Sequence, residues 1–233
     1  MLFDLDGTLS DSAAGIVAAL EPACRALDVE VPPEATLRRF IGPPLEEGFG
    51  RHLGLGPTDR ARALAAYREH HVEDGAMLAR APYPGVVALL EQLFAEGRTV
   101  AVATAKPAVQ AREVVAHLGL GGLVTARFGP GLEGGATKAD VIAEACPELG
   151  LPPAGAVMVG DREHDVRGAK ANEMVAVGVL WGHGSRDELE AAGAVAVVTS
   201  CDELAGVLGA GSGLGVPADA RAVGGGAPLP GWG

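Results

Sequence analysis

The chain opens Met1-Leu2-Phe3-Asp4-Leu5-Asp6-Gly7-Thr8. Apolar residues lead into two acids separated by one position, so Met1 to Asp6 reads as a buried strand whose carboxyl end carries chemistry. Side chains two apart on a strand share a face, which sets Asp4 and Asp6 toward one site. Carboxylates this close repel, and a cation or a shared proton is needed to hold them together. Magnesium is the natural cation for hard oxygen ligands around a phosphate. Gly7 then lets the backbone turn sharply or approach a ligand. Met1 already lies inside the apolar pattern, so either this strand is short or the natural chain begins a few residues earlier.

Beyond the acids the texture changes. From about Ala13 to Arg80 apolar residues recur at helical spacing, as in Ile16, Ala19, Leu20, Ala23 and Leu27. Pro32–Pro33, Gly42-Pro43-Pro44 and Gly54 to Pro57 punctuate this segment into about four helices with no strand. Strand and helix patterns alternate thereafter. Val100–Ala103, Leu123–Ala126, Ala156–Val159 and Val175–Val179 read as strands. Gly85–Glu96, Ala108–Leu118, Lys138–Ala145 and Val166–Ala171 read as helices. A short strand, Ala194–Val198, and a helix, Asp202–Leu208, follow. Alternation of this kind predicts an α/β fold, a parallel sheet covered by helices on both faces. The helical block, residues 13–81, interrupts the α/β part, residues 1–12 and 82–208, and is placed to sit over the carboxyl edge of the sheet as a lid. Residues 209–233 hold nine Gly and three Pro and few large apolar groups, the composition of a disordered tail. Trp232 within it reads as an exposed terminal residue.

Composition narrows the function. The 233 residues include 18 basic and 30 acidic side chains, a net charge of −12, which repels nucleic-acid backbones and anionic lipid alike. No apolar run reaches the length of a membrane span, and the N-terminus lacks the basic and apolar regions of a secretory signal. Cys24, Cys146 and Cys201 are odd in number and widely spaced, read as buried small hydrophobes of a reducing, cytoplasmic setting. Only Lys106, Lys138 and Lys170 are lysines.

Further signals fall at the same sheet edge. Val100 to Thr104 is an apolar strand ending in a hydroxyl that can donate to an anionic oxygen. Lys138 opens a helix and offers an ammonium against developing negative charge. Gly160-Asp161-Arg162-Glu163-His164-Asp165 follows another apolar strand with two more acids four apart. Together these converge on the edge where α/β sheets bind ligands.

The set Asp-Leu-Asp-Gly-Thr, a strand-ending Thr, a Lys and Gly-Asp-x-x-x-Asp resembles the haloacid dehalogenase superfamily over about residues 1 to 208. The stretch GDREHDVRGAKANEM, then VGVLWGHGSRDELEAAGA, and the re-entry YPGVVALLEQL resemble its phosphoglycolate-phosphatase-like branch, as does the insertion after the first strand. The resemblance implies a Rossmann-like parallel sheet with helices on both faces and a small all-helical cap. It implies a magnesium-dependent phosphatase acting on a small phosphorylated metabolite. Asp4 is then the nucleophile that forms an aspartyl-phosphate, and Asp6 protonates the leaving oxygen and later deprotonates water. Magnesium is held by Asp4, the Asp6 carbonyl and Asp161. Asp165 matches the second acid of its motif, which ligates directly, ligates through water, or orients Lys138. Thr104 and Lys138 bind the transferring oxygens, aided by the Leu5 and Asp6 amides. Gly42 belongs to the cap loop facing the substrate.

Other residues read as bystanders. Thr8 and Ser12 are expected to hydrogen-bond in the turn and linker, His70 and His71 to lie at the surface, His164 to be exposed or supporting, and Lys106 to face either the phosphate or solvent, with solvent favoured. Within the superfamily, phosphonate cleavage uses a cap lysine, and residues 13–81 contain none. Dehalogenating relatives lack the second acid and the magnesium site, both matched here. Phosphomutases place basic residues in the loop corresponding to Phe40–Phe49; that loop has none, although Arg38, Arg39 and Arg51 flank it. A mutase remains an alternative. So does a non-catalytic receiver-like phosphoacceptor module, though in receivers the metal acids precede the acceptor strand and no cap exists. Phosphoglycolate, nucleoside monophosphates, other small esters and pyrophosphate are candidate substrates. The chain is expected to act as a monomer or homodimer.

Overall fold

The computed structural model describes residues 1–209 apart from Gly42, Asp74, Glu133 and Gly134. The expectations for Gly42, for residues 210–233 of the tail and for Trp232 lie outside the described residues. In chain order the strands are β1 (Leu2–Phe3), β2 (Ser10–Asp11), β3 (Ala81–Pro82), β4 (Ala101–Ala103), β5 (Ala126–Phe128), β6 (Val157–Gly160), β7 (Val175–Val179) and β8 (Ala196–Val198). Six form one sheet in the order β5-β4-β1-β6-β7-β8, and every pairing in it is parallel. β1 lies between β4 and β6, where the winding direction reverses. The crevice outside the carboxyl end of β1 is therefore the natural ligand site.

The helices are α1 (Ala13–Arg25), α2 (Glu34–Leu37), α3 (Leu45–Leu53), α4 (Pro57–Arg68), α5 (Val86–Ala95), α6 (Ala108–His117), α7 (Lys138–Glu148), α8 (Glu163–Ala171), α9 (Arg186–Ala192) and α10 (Cys201–Gly209). Period-two alternation along the strands feeds two cores. Phe3, Val102, Val159 and Val177 face the apolar sides of α5, α6 and α10. Leu2, Ala101, Ala103, Met158 and Ala176 face α7, α8 and α9. Both faces of the sheet are thus covered, and the α/β fold is as the alternation predicts. Cys24, Cys146 and Cys201 are free and buried, as their spacing suggests.

A third apolar cluster belongs wholly to the helical block. Ile16, Ala19, Leu20 and Ala23 of α1 pack with Leu37, Phe40, Ile41, Phe49, Ala63 and Tyr67. The expected four helices are present as α1 to α4. A π-helix over Glu69–Glu73 and a 3-10 turn over Ala76–Leu78 extend the block. Where the chain leaves and returns, β2 and β3 pair antiparallel, Ser10 opposite Pro82 and Asp11 opposite Ala81.

One predicted strand is displaced. Leu123–Ala126 was expected to be extended, but the strand begins at Ala126. Leu123 and Val124 instead close a turn, their amides donating to the Leu120 carbonyl at 3.0 and 3.2 Å. Burial of Val124 in the core makes the turn as apolar as a strand, and periodicity cannot separate the two.

Candidate active site

β1 ends at Phe3, but the ladder continues for one bond more, the Asp4 amide donating to the Val159 carbonyl at 2.9 Å. That bond fixes Asp4 at the rim beside the Gly160–Asp165 loop. Gly7 follows with φ of +90°, a conformation that L side chains rarely adopt. A Cβ there would collide with the Asp161 carboxylate, so glycine is required for both turn and closeness. Thr8 Oγ1 then donates to Asp161 Oδ1 at 3.2 Å. The His183 amide donates to Asp161 Oδ2 at 2.8 Å, and the Trp181 indole donates to the Thr8 carbonyl at 2.9 Å.

Lys138 arrives from the other side. Thr137 caps α7 with a reciprocal box: its hydroxyl accepts from the Asp140 amide and its amide donates to Asp140 Oδ2. The cap starts the helix at Lys138. Its ammonium lies 2.7 Å from Asp4 Oδ1, 2.9 Å from the Ala103 carbonyl and 2.9 Å from Asp165 Oδ1. The Asp165 Oδ2 atom accepts from the Arg162 amide at 3.1 Å.

Asp4, Asp161 and Asp165 thereby present carboxylate oxygens within 4.8 Å of one another, all buried. Burial pushes the Asp4 carboxyl up to about 6; Lys138 opposes that shift and Asp165 adds to it. Burial, then Asp165 and Asp4, push Asp161 well above the carboxylate range. Burial would lower Lys138, but Asp165 and Asp4 outweigh it and hold the ammonium charged. Three carboxylates against one ammonium leave an excess of two negative charges. That excess, offered by oxygen donors alone, fits a hard dication such as magnesium.

The Asp6 carboxylate lies outside this triad. It is ion-paired to Arg80, and Lys106 Nζ lies 3.2 Å from its Oδ2. Burial favours the neutral acid, yet the Lys106 and Arg80 charges outweigh it and hold Asp6 far below the usual range. Lys106 therefore points into the site, not to solvent: its side chain is 7% exposed. A residue just past a strand end can turn either way, and the buried carboxylate decides the direction. No motif in the sequence marks Arg80. Its only local signal is a basic residue directly before Ala81–Pro82, the strand that returns beside Ser10–Asp11.

Thr104 is buried. Its Oγ1 accepts from the Lys106 amide at 3.3 Å, which leaves the hydroxyl proton to donate elsewhere. Asp4, Asp6, Thr104 and Lys106 border one cleft, closed opposite by Ile16, Phe40, Leu45, Leu64, Tyr67 and His71. His71 is only 2% exposed, against the expectation of a surface residue. The π-helix widens the turn after α4 and carries it inward, stacked on Tyr67 at 4.8 Å between ring centroids. Ser12 is buried as well, and its hydroxyl finds no partner among the described residues.

The haloacid dehalogenase-like hydrolase family model matches residues 1–179, and the chain belongs to that family. It is 38% identical over 192 residues to a 5'-nucleotidase of Pseudomonas aeruginosa, spanning 82% of this chain and 86% of the relative. It is 36% identical to the tyrosine-protein kinase PtkA of Mycobacterium tuberculosis, over 90% of this chain and 72% of that one. A phosphoglycolate phosphatase of Rhodospirillum rubrum is 32% identical over 90% of both chains. Among solved structures, a predicted phosphatase from Clostridium acetobutylicum superposes with a TM-score of 0.85 at 38% identity, covering 89% of this chain and 96% of that one.

Proposed function

We propose that the protein is a magnesium-dependent phosphatase that hydrolyses a small phosphate monoester through an aspartyl-phosphate on Asp4. The observation that carries the reading is the buried triad of Asp4, Asp161 and Asp165, with Lys138 between Asp4 and Asp165. The names of the relatives, a 5'-nucleotidase and a phosphoglycolate phosphatase, support the choice of a small phosphate ester.

Asp4, Asp161 and the Asp6 carbonyl would hold the ion, with Asp165 either a further ligand or the partner that orients Lys138. Bound magnesium supplies charge neutralisation for carboxylates and phosphoryl oxygens that otherwise repel. Lys138 and the Thr104 hydroxyl bind the transferring oxygens and keep phosphorus in line with Asp4. An Asp4 oxygen forms the new bond to phosphorus as the ester P–O bond breaks, and the leaving oxygen takes a proton from Asp6. Water then attacks the aspartyl-phosphate, giving its proton to Asp6 and releasing phosphate. Asp6 is ionised as held by Arg80 and Lys106, the state this second half requires. For the first half it must carry a proton, which needs those two pairings to loosen as the ester enters.

Residues 13–81 act in this reading as a cap over an α/β core formed by residues 1–12 and 82–208. Besides the Arg80–Asp6 ion pair, two arginine-to-carbonyl bonds join the segments. Arg162 Nη1 donates to the Ile41 carbonyl at 2.6 Å, and Arg68 Nη2 donates to the Leu132 carbonyl at 2.5 Å. The test is continuous release of phosphate from p-nitrophenyl phosphate. Turnover that stops with EDTA and returns with magnesium is expected; a single stoichiometric labelling event without turnover overturns the reading in favour of a phosphoacceptor module.

A further inference from the structure

Gln110 sits in the first turn of α6, one helical turn beyond Lys106, and borders the cleft. It is 9% exposed, and among the described residues its amide has no hydrogen-bond partner. Its amide atoms are not among the covered side-chain atoms that lack a partner, so they stay open to the cleft, where the groups of a ligand could pair with them. Two other neutral polar side chains, Tyr67 and His71, border the same cleft. Among the described residues neither ring nitrogen of His71 meets hydrogen-bond geometry with a partner. Burial, then the Lys106 and Arg80 charges, pull the imidazole down to about 3, so it is neutral.

The cations around the cleft are engaged by carboxylates or carbonyls, with only the covered Arg80 Nη2 lacking a partner among the described residues. Lys106 and Arg80 pair with Asp6, Lys138 with Asp4 and Asp165, and Arg68 donates to the Leu132 carbonyl. Glu46 adds a negative charge to the lining. A second anionic group on the substrate would thus find carboxylates and committed cations, whereas a neutral hydroxyl would find an amide able both to donate and to accept.

We propose, resting on the phosphatase reading, that Gln110 is a specificity-determining residue that hydrogen-bonds the leaving group, and that the favoured substrate is a monoester whose alcohol carries a neutral hydroxyl, not a carboxylate. A carboxamide reads a hydroxyl through its N–H and its carbonyl, while the apolar wall of Ile16, Phe40, Leu45 and Leu64 accepts the carbon skeleton. Loss of the amide removes that discrimination and leaves the shape of the cleft.

The experiment compares kcat/KM for glycerol 3-phosphate, 2-phosphoglycolate and p-nitrophenyl phosphate in the full chain and in Gln110→Leu and Gln110→Ala, with thermal unfolding as the control for folding. The native chain is expected to prefer glycerol 3-phosphate to 2-phosphoglycolate. Both variants should lower the ratio of kcat/KM for glycerol 3-phosphate to that for p-nitrophenyl phosphate by about fivefold or more, chiefly through KM. Preference of the native chain for 2-phosphoglycolate, or an unchanged ratio in a folded variant, overturns the proposal while the phosphatase reading stands. Absence of turnover on all three esters with magnesium present overturns both.

Discussion

At Asp4, exchange of one carboxylate oxygen for an amide nitrogen keeps the size of the side chain and removes the charge that attacks phosphorus. The remaining amide oxygen can still accept from Lys138, now 2.7 Å away, so the fold is retained. Asp4→Asn is expected to cut phosphate release by more than about a thousandfold while calorimetry still detects binding of the ester; turnover within tenfold of the native rate would remove Asp4 from the role. Lys106 makes a different prediction. It and Arg80 together hold Asp6 far below the usual carboxylate range. Lys106→Ala leaves Arg80 alone, so the Asp6 pKa rises. In the first half-reaction, which kcat/KM reports, Asp6 must carry a proton, so a raised pKa keeps it protonated longer and the alkaline limb of the profile moves to higher pH. Initial rates from pH 4.5 to 8 measure the displacement, and an unmoved limb would mean that Lys106 acts only by packing.

Elements decide which of these residues meet. The capping box of Thr137 and Asp140 sets the first turn of α7, and Lys138 occupies the position directly after the cap. Thr137→Ala removes the hydroxyl that accepts from the Asp140 amide, at a cost of about 1 kcal/mol. We expect a Tm lower by about 2–4 °C and a fall in kcat larger than in the variant Thr137→Ser, which keeps the cap. Equal kcat in both variants would separate the cap from the placement of the ammonium. The strands and helices that carry Asp4, Thr104, Lys138 and Asp161 were legible in the sequence because each announces itself locally, as an apolar run meeting a polar residue or a helix start. Arg80, Lys106 and His71 were not. Arg80 meets Asp6 across 74 positions, through the antiparallel pairing of β2 with β3, and no local pattern encodes that register. His71 turns inward because a π-helix follows α4, and a one-residue widening leaves no mark on helical periodicity. Leu123 and Val124 show the converse, an apolar pair in a turn that reads as a strand.

Across the whole molecule, the net charge of −12 and the buried triad act in the same direction on stability. Asp4 has a native pKa raised to about 6, and Asp161 is raised well above the carboxylate range as well. In the unfolded chain both ionise near the ordinary value for Asp. The native state therefore binds more protons than the unfolded one as pH climbs from about 4 through 6, and stability falls with rising pH over that window. Asp6 has the opposite sign. Its depressed pKa stabilises the fold at every pH above the unfolded value, and that contribution is lost only in stronger acid, outside the window. Without a divalent ion the triad thus weakens the fold at neutral pH, and a dication offsets the weakness only where the carboxylates are ionised. Thermal unfolding at pH 5.0 and 7.5, each with EDTA or with millimolar magnesium, tests this. Magnesium is expected to raise the Tm by several degrees at pH 7.5, and by clearly less at pH 5.0, where protons already occupy Asp4 and Asp161. The doubly substituted chain Asp161→Asn, Asp165→Asn should lose the magnesium increment at both pH values and gain stability in EDTA at pH 7.5, since it removes the repulsion along with the ligands. Equal magnesium increments at the two pH values would show that the ion stabilises the protein through carboxylates other than these three.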